Sequence, residues 1–383
     1  MPEEVRIVYP DQLYPKRVMG SYLRTFNIAK LASEKFKTSI FGIASELYEN
    51  EKCGVHVIQE KKYENFTTKL KHFSDGLFSD NYSLMDSKTV FKDFIPENTI
   101  FQIESPMVYN MLKKRKIENY ILDEHNVYWE FSKFPNFDLK NKIYTKLAFK
   151  RDKNIEIKAI KNASHILTCS ESDKIKIVEE IPETDDKITV IPNCVDFKEY
   201  DNYKWVKQNK NGFTVLFMGL LSYQPNTDAV YSICNKIAPE FGENVQFKII
   251  GKNPPKINHP NNVKFLGYVE DVKEHILNSD ICIAPLRYGS GTRLKLLEYM
   301  AMGKPVITTS KGAEGIDYIN NKNIIIENDI NKFSGIITEL MVDETIRNNL
   351  GKNAKILIKN SYDWKIYQKD LFNVYEEVLN ENN

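Results

Sequence analysis

Short apolar runs rich in Val, Ile and Phe alternate along this chain with longer segments whose apolar residues recur at helical spacing, which predicts parallel strands wrapped by helices. In the first half the expected strands are Val5–Tyr9, Thr38–Ile43, Val55–Ile58, Thr99–Glu104, Tyr120–Asp123, His165–Cys169 and Ile188–Ile191. After the polar stretch Asp196–Gly212 the pattern restarts with Phe213–Met218, Val245–Ile250, Val263–Phe265, Ile281–Ala284, Val306–Thr309 and Ile324–Ile326. A chain of 383 residues exceeds the roughly 250–300 at which single cores divide. The restart therefore reads as two α/β, doubly wound domains joined by the Asp196–Gly212 linker, with ligands expected in the cleft facing their strand carboxyl ends. Glu60–Pro96 is aromatic and charged without clean periodicity, and is expected to be a loop-rich excursion of the first domain.

One segment departs from ordinary helix electrostatics. Ile281–Pro285 reads as a buried strand, Gly289-Ser290-Gly291 as a tight loop, and Thr292–Met302 as a helix stopped by Gly303 and Pro305. That reading puts Arg293 and Lys295 in the first helical turn, where free backbone N–H groups and the positive dipole end disfavour cations. A bound phosphate offsets the cost: loop amides approach its oxygens, Arg293 forks onto two of them, and Lys295 adds a point charge. Glu298, about one turn beyond Lys295, is then placed to accept hydrogen bonds from sugar hydroxyls. The alternative is an ordinary helix start with solvated charges, Glu298 included.

Composition narrows the partners. A net charge of +1 argues against an overall nucleic-acid binder. Cys53, Cys169, Cys194, Cys234 and Cys282 are scattered, odd in number and never in C-x-x-C spacing, which fits reduced thiols in a cytoplasmic protein without zinc or disulfides. Met1-Pro-Glu-Glu runs directly into a strand, so no signal peptide is expected, and no apolar run approaches membrane-spanning length. Lys113-Lys-Arg-Lys116 and the Lys-rich Lys140–Lys161 can rest on anionic headgroups as a peripheral contact at the inner membrane face. Solvated helix faces are the other reading.

Other chemistries find no support. Gly289-Ser-Gly291-Thr-Arg-Leu294 lacks the third glycine of a dinucleotide fingerprint, and G-x-x-x-x-G-K-[ST], H-E-x-x-H and Asp-x-Asp are absent. No protein metal and no cofactor are expected.

Several motifs occur in a fixed order: Ile188-Thr-Val-Ile-Pro-Asn-Cys-Val-Asp196, Val263-Lys-Phe-Leu-Gly-Tyr-Val269, Asp280-Ile-Cys-Ile-Ala-Pro285 and Leu297-Glu-Tyr-Met-Ala-Met-Gly-Lys-Pro-Val306. With them, nearly the whole chain resembles the retaining glycosyltransferases of family 4, which have the two-domain GT-B fold. The expected division is residues 1–195 as the acceptor-side domain, 196–361 as the nucleotide-sugar domain, and 362–383 as a helix crossing back to the first. The resemblance implies transfer from a UDP- or GDP-sugar to a glycan or lipid-linked acceptor, as in polysaccharide biosynthesis. Two departures stand out: Ser290 replaces the first acid of a two-glutamate motif whose second member is Glu298, and Gly219 is followed by Leu-Leu-Ser-Tyr-Gln-Pro-Asn226 instead of cations. The combination of this Gln-Pro-Asn loop with Gly-Thr-Arg-Leu-Lys-x-x-Glu is similar to one subgroup of the family, in which the cations sit on the later loop.

On this resemblance Arg293 and Lys295, with backbone from Gly219 and Gly291, meet the donor diphosphate. Ser290, Thr292 and Leu297 line the same donor segment, Glu298 takes the ribose, and Tyr268 and Val269 lie beside the base. Gly20 and Ser21, in Val18-Met-Gly20-Ser-Tyr-Leu-Arg24, belong to the acceptor-side loop, or form a plain helix start. His125, ahead of Asp123 and Glu124 as rivals, contacts the transferring sugar or relays a proton; a strand-end structural histidine is the alternative. A sugar-nucleotide epimerase of the same fold and a non-catalytic sugar-nucleotide binder are the competing functions.

Overall fold

The computed structural model describes residues 4–10, 20–44, 48–61, 98–129, 142–203, 212–289 and 291–380. They form two compact units, Met1–Pro192 with Tyr367–Asn383, and Asn193–Ile366. Beyond its first strand residues, the Glu60–Pro96 excursion lies outside the described residues, as do Val18, Met19 and Ser290.

The first unit holds an eight-stranded sheet in the order β3-β4-β2-β1-β5-β6-β7-β8. Its strands are β1 (Glu4–Val8), β2 (Lys37–Ala44), β3 (Tyr48–Lys52), β4 (Val55–Lys61), β5 (Thr99–Ile103), β6 (Tyr120–Glu124), β7 (His165–Thr168) and β8 (Ile188–Val190). All pairings are parallel except β3 with β4. Every residue of β1, β5, β6 and β7 is buried, as expected of parallel strands covered on both faces. Strand β3 was not foreseen in the sequence, because Tyr-Glu-Asn-Glu-Lys carries no apolar alternation. It pairs through a two-residue turn in which Cys53 (φ 53) and Gly54 (φ 76) both adopt positive φ, the hairpin geometry that matches strand twist. The chain end, Gln368–Asn380, is a helix of this unit. Its buried Tyr375 donates to Gln102 Oε1 at 2.6 Å and stacks edge-on against Phe36.

The second unit holds six parallel strands in the order β11-β10-β9-β12-β13-β14. These are β9 (Phe213–Met218), β10 (Val245–Ile250), β11 (Val263–Gly267), β12 (Ile281–Ala284), β13 (Val306–Thr308) and β14 (Ile325–Ile326). Counted within the unit this is the 3-2-1-4-5-6 order of a dinucleotide-binding sheet, whose direction reverses between β9 and β12. In the first unit the reversal falls between β1 and β5. Loops leaving those strands diverge to opposite faces, so each reversal opens a crevice at the strand carboxyl ends. Phe197–Asp201, inside the expected linker, is a helix of the second unit.

Candidate functional site

In the second unit the residues singled out in the sequence gather at the β9/β12 reversal. Gly219 directly follows β9, and its carbonyl packs so closely on Gly251 that a Cβ there would collide with it. Any Cβ on Gly219 itself would lie 2.7 Å from Asn226 Nδ2 and 2.8 Å from Lys295 Nζ. Glycine is thus required here for approach rather than for φ. Buried Asn226, near the start of the Gln224–Ser232 helix, donates to Leu220 O at 2.9 Å and accepts from Lys295 Nζ at 2.6 Å. The ammonium also lies 4.4 Å from the centre of the Phe217 ring. Tyr299, fully buried, accepts from Met218 N at 2.8 Å and so locks the following helix to the end of β9. Neither Asn226 nor Tyr299 was singled out as a contact in the sequence; Pro225 beside Asn226, at a helix start, was the signal.

After β12 the chain turns through Gly289 (φ 117) and Gly291 (φ 79), both in the glycine-favoured region. A Cβ on Gly289 would approach Arg293 Nη2 to 2.5 Å, so the guanidinium lies against the loop backbone. The helix spans Leu294–Ala301 and not Thr292–Met302. This corrects the placement of Arg293: its backbone is extended (φ −86, ψ 97) while its carbonyl accepts from Leu296 N at 2.9 Å, which makes it the cap residue. Only Lys295 occupies the first turn. Thr292 is buried, and its Oγ1 has no hydrogen-bond partner among the described residues. The stop at Gly303 (φ 68) is as expected from the sequence.

Burial, reinforced by the neighbouring Arg293 charge, lowers the Lys295 ammonium to about 7. Burial likewise lowers Arg293. Burial thus disfavours both cations, although the charge of Glu314 offsets part of that cost at Arg293. Burial pushes the Glu298 carboxyl up to about 7, against a hydrogen bond from Tyr200 (hydroxyl to Oε1, 3.1 Å) and the charges of Lys273 and Lys295. Tyr268 is exposed, with Lys252 Nζ 4.3 Å from its ring centre, and Val269 is partly exposed beside it. Leu297 is fully buried, which leaves only its backbone for a ligand.

An anion that restores the Lys295 proton must draw that proton from solvent. At pH 8 the free side chain is mostly neutral and Glu298 is already ionised, so binding of a nucleoside diphosphate takes up about one proton per site. Calorimetry in two buffers of different ionisation enthalpy measures this uptake. Lys295→Met abolishes it; an unchanged uptake in that variant rejects Lys295 as the group.

In the first unit a buried polar cluster lies at the carboxyl ends of β5 and β6. Arg24, on the Gly20–Ala32 helix, donates to both Asp123 oxygens at 2.7–3.1 Å and to Ile191 O at 2.7 Å. His125 Nε2 lies 2.9 Å from Glu104 Oε2 and 3.3 Å from Asp123 Oδ2. Glu104 also accepts from Thr25 Oγ1 at 2.5 Å and from Gln102 Nε2 at 2.6 Å. Burial opposes a charge on His125, yet Asp123 and the hydrogen bonds to both carboxylates raise it to about 9. Burial likewise opposes ionisation of Asp123, but Arg24 and His125 hold it down at about 2. His125 is therefore an imidazolium at neutral pH, with Nε2 committed as a donor. Glu124 points elsewhere: its oxygens have no partner among the described residues, and burial, then Glu156, push its carboxyl well above the usual range. Gly20 is exposed at the helix start, and Ser21 Oγ lies 2.9 Å from Tyr9 Oη.

Glu104, Asp123 and His125 have the make-up of a metal site, with one ligand atom from each within 4.8 Å of the others. Their charges are already matched by Arg24 and the imidazolium. Among the described residues no helix is long and apolar enough to cross a membrane. Lys113, Lys114, Arg115 and Lys116 are exposed.

Comparison with solved structures shows the fold. Sucrose-phosphate synthase from Thermosynechococcus elongatus superposes with a TM-score of 0.73 at 12% identity, covering 99% of this chain and 100% of that one. The architecture is thus GT-B, with two Rossmann-like domains. An uncharacterized glycosyltransferase of Methanocaldococcus jannaschii is 24% identical over 258 residues, 63% of this chain and 66% of that protein. An Escherichia coli UDP-Gal:alpha-D-GlcNAc-diphosphoundecaprenol alpha-1,3-galactosyltransferase is 25% identical over 244 residues, 55% of this chain and 59% of that protein. The chain therefore spans roughly two thirds or less of the length of these curated relatives. Residues 212–343, which carry β9, β12 and the whole cation-bearing loop, match the family described as Glycosyl transferases group 1.

Proposed function

We propose that this protein is a glycosyltransferase that moves a hexosyl group from a UDP- or GDP-sugar to a glycan or lipid-linked acceptor, with retention of configuration and without a metal ion. The observation that carries this reading is the convergence of Gly219, Asn226, Lys295, Gly289 and Arg293 at the β9/β12 reversal. Departure of a nucleoside diphosphate leaves positive charge on the sugar ring and builds negative charge on the leaving group. Preorganised cations and amides aimed at that group lower the barrier. Arg293 and Lys295 fill this role, with Gly219, Ser290, Gly291 and Thr292 beside them. Glu298 takes the ribose, and Tyr268 and Val269 lie along the base.

Gly20 and Ser21 serve the acceptor side, and His125 contacts the transferring sugar. A protonated His125 acts as a donor to a sugar oxygen and not as the base. The acceptor's proton passes instead to the departing phosphate, with attack on the face that the leaving group vacates. A lipid-linked acceptor is supported by the name of the Escherichia coli relative, whose acceptor is diphosphoundecaprenol-linked. The exposed Lys113–Lys116 cluster suits a peripheral contact with the inner face of the membrane, from the cytoplasm.

The test is a panel of nucleotide sugars assayed for release of free nucleoside diphosphate, with and without lipid extract. One sugar is expected to release it only when acceptor is present. Turnover persists in EDTA, because side-chain cations already meet the diphosphate charge. A nucleotide sugar isomerised without release points to an epimerase, and tight binding without turnover points to a binder; either outcome rejects the proposal. Loss in EDTA with recovery in Mg²⁺ or Mn²⁺ rejects its metal-independent part.

A further inference from the structure

We infer that Tyr200 is a positioning residue for the nucleotide ribose, holding one oxygen of Glu298 so that the other is presented to the ribose diol. The inference rests on the donor-site reading of Glu298 above. Tyr200 lies on the Phe197–Asp201 helix and is 8% exposed. Its hydroxyl donates to Glu298 Oε1 at 3.1 Å across 98 residues of sequence. Nothing in the sequence marks it, since an aromatic residue on a short helix reads as core.

The surroundings explain why the contact directs the carboxylate instead of neutralising it. Lys273, whose charge acts on Glu298, forms its ion pair elsewhere: its Nζ lies 2.8 Å from Glu199 and 5.2 Å from the centre of the Tyr200 ring. Lys295 is drawn off to Asn226. Glu298 Oε2 is therefore left without a hydrogen-bond partner among the described residues. A glutamate on a helix face otherwise samples several rotamers, and a ligand that needs one of them must offset the ordering. The phenol fixes that rotamer before the ligand arrives. Its donated bond also favours the ionised carboxylate, the form that accepts from two hydroxyls.

The experiment compares UDP or GDP, whichever the donor panel identifies, with its 2′,3′-dideoxy counterpart, by calorimetric titration of the full chain at pH 8. Wild type is expected to prefer the ribonucleotide, and Tyr200→Phe, which keeps the ring beneath Lys273, to weaken it roughly 3- to 10-fold while leaving the dideoxy form unchanged. In a Glu298→Gln background the same Tyr200 substitution has little further effect on the ribonucleotide, because the two residues act as one unit. Undiminished sugar discrimination in Tyr200→Phe overturns the inference, as does equal weakening of both nucleotides or a large fall in apo melting temperature. Failure of wild type to distinguish the two nucleotides rejects the ribose assignment of Glu298 itself, whatever Tyr200 does.

Discussion

Arg293→Ala lowers nucleoside diphosphate affinity about 10- to 150-fold, while affinity for the bare nucleoside hardly changes. The size follows from removing a charge-assisted, forked donor from a mostly desolvated site, where such bonds are worth roughly 1.5–3 kcal/mol. The direction for the free protein is the informative part. Burial lowers the Arg293 pKa against the opposing charge of Glu314, and the residue caps the positive end of the Leu294–Ala301 helix dipole, so its charge contributes little to the free protein and is stabilised by an incoming anion. Apo thermal stability is therefore expected to hold or rise slightly in the variant. Titration with nucleoside and nucleoside diphosphate beside apo melting curves decides the matter. Unchanged diphosphate affinity, or a strongly destabilised apo protein, makes Arg293 a structural cation.

His125→Ala is expected to lower kcat far more than it weakens nucleoside diphosphate binding, and also to destabilise the first unit. Removing a buried imidazolium 2.9 Å from Glu104 and 3.3 Å from Asp123 strands carboxylate charge, a loss that runs to roughly 3–5 kcal/mol for buried pairs. Arg24, Thr25 and Gln102 still serve the two acids, which places the cost near the lower end. The pH dependence has a definite sign. A histidine raised from 6.5 to about 9 contributes stability that is fully present below pH 6.5 and lost as pH rises through 9. The gap in melting temperature between wild type and variant is thus widest near pH 6 and closes above pH 9. A gap independent of pH refutes the imidazolium, and unchanged turnover in a folded variant returns His125 to the structural alternative.

Much of this architecture is written locally. Val5, Ile7 and Val8, or Ile281 to Ala284, are β-branched or small apolar runs too short for helices, and such runs become central parallel strands whatever surrounds them. Gly289, Gly291 and Gly303 adopt the positive φ that their places beside a helix require, so the loop and the helix stop could be read from residue type alone. Two cations beside that loop were legible for the same reason, because their electrostatic cost is local to one helix end.

Contacts between distant residues could not be read this way. Strand β3 forms because Cys53-Gly54 turns a polar segment onto an open sheet edge, where cross-strand hydrogen bonds replace apolar patterning as the driving force. Arg293 falls at the cap and not in the first turn because its own backbone is extended and helical φ and ψ begin only at Leu294. Lys295 meets Asn226 across 69 residues, Glu298 meets Tyr200 across 98, and Asp123 meets Arg24 across 99. Each pairing depends on how its own unit folds, which brings segments distant in sequence together. The charge state of His125 follows from such pairings too, since burial alone would leave it neutral and only its placement beside Asp123 and Glu104 makes it a cation. Residue type marked which side chains can carry charge at these two places; folding settles which of them meet, because burial and partner distance set the energy of a charge inside a protein.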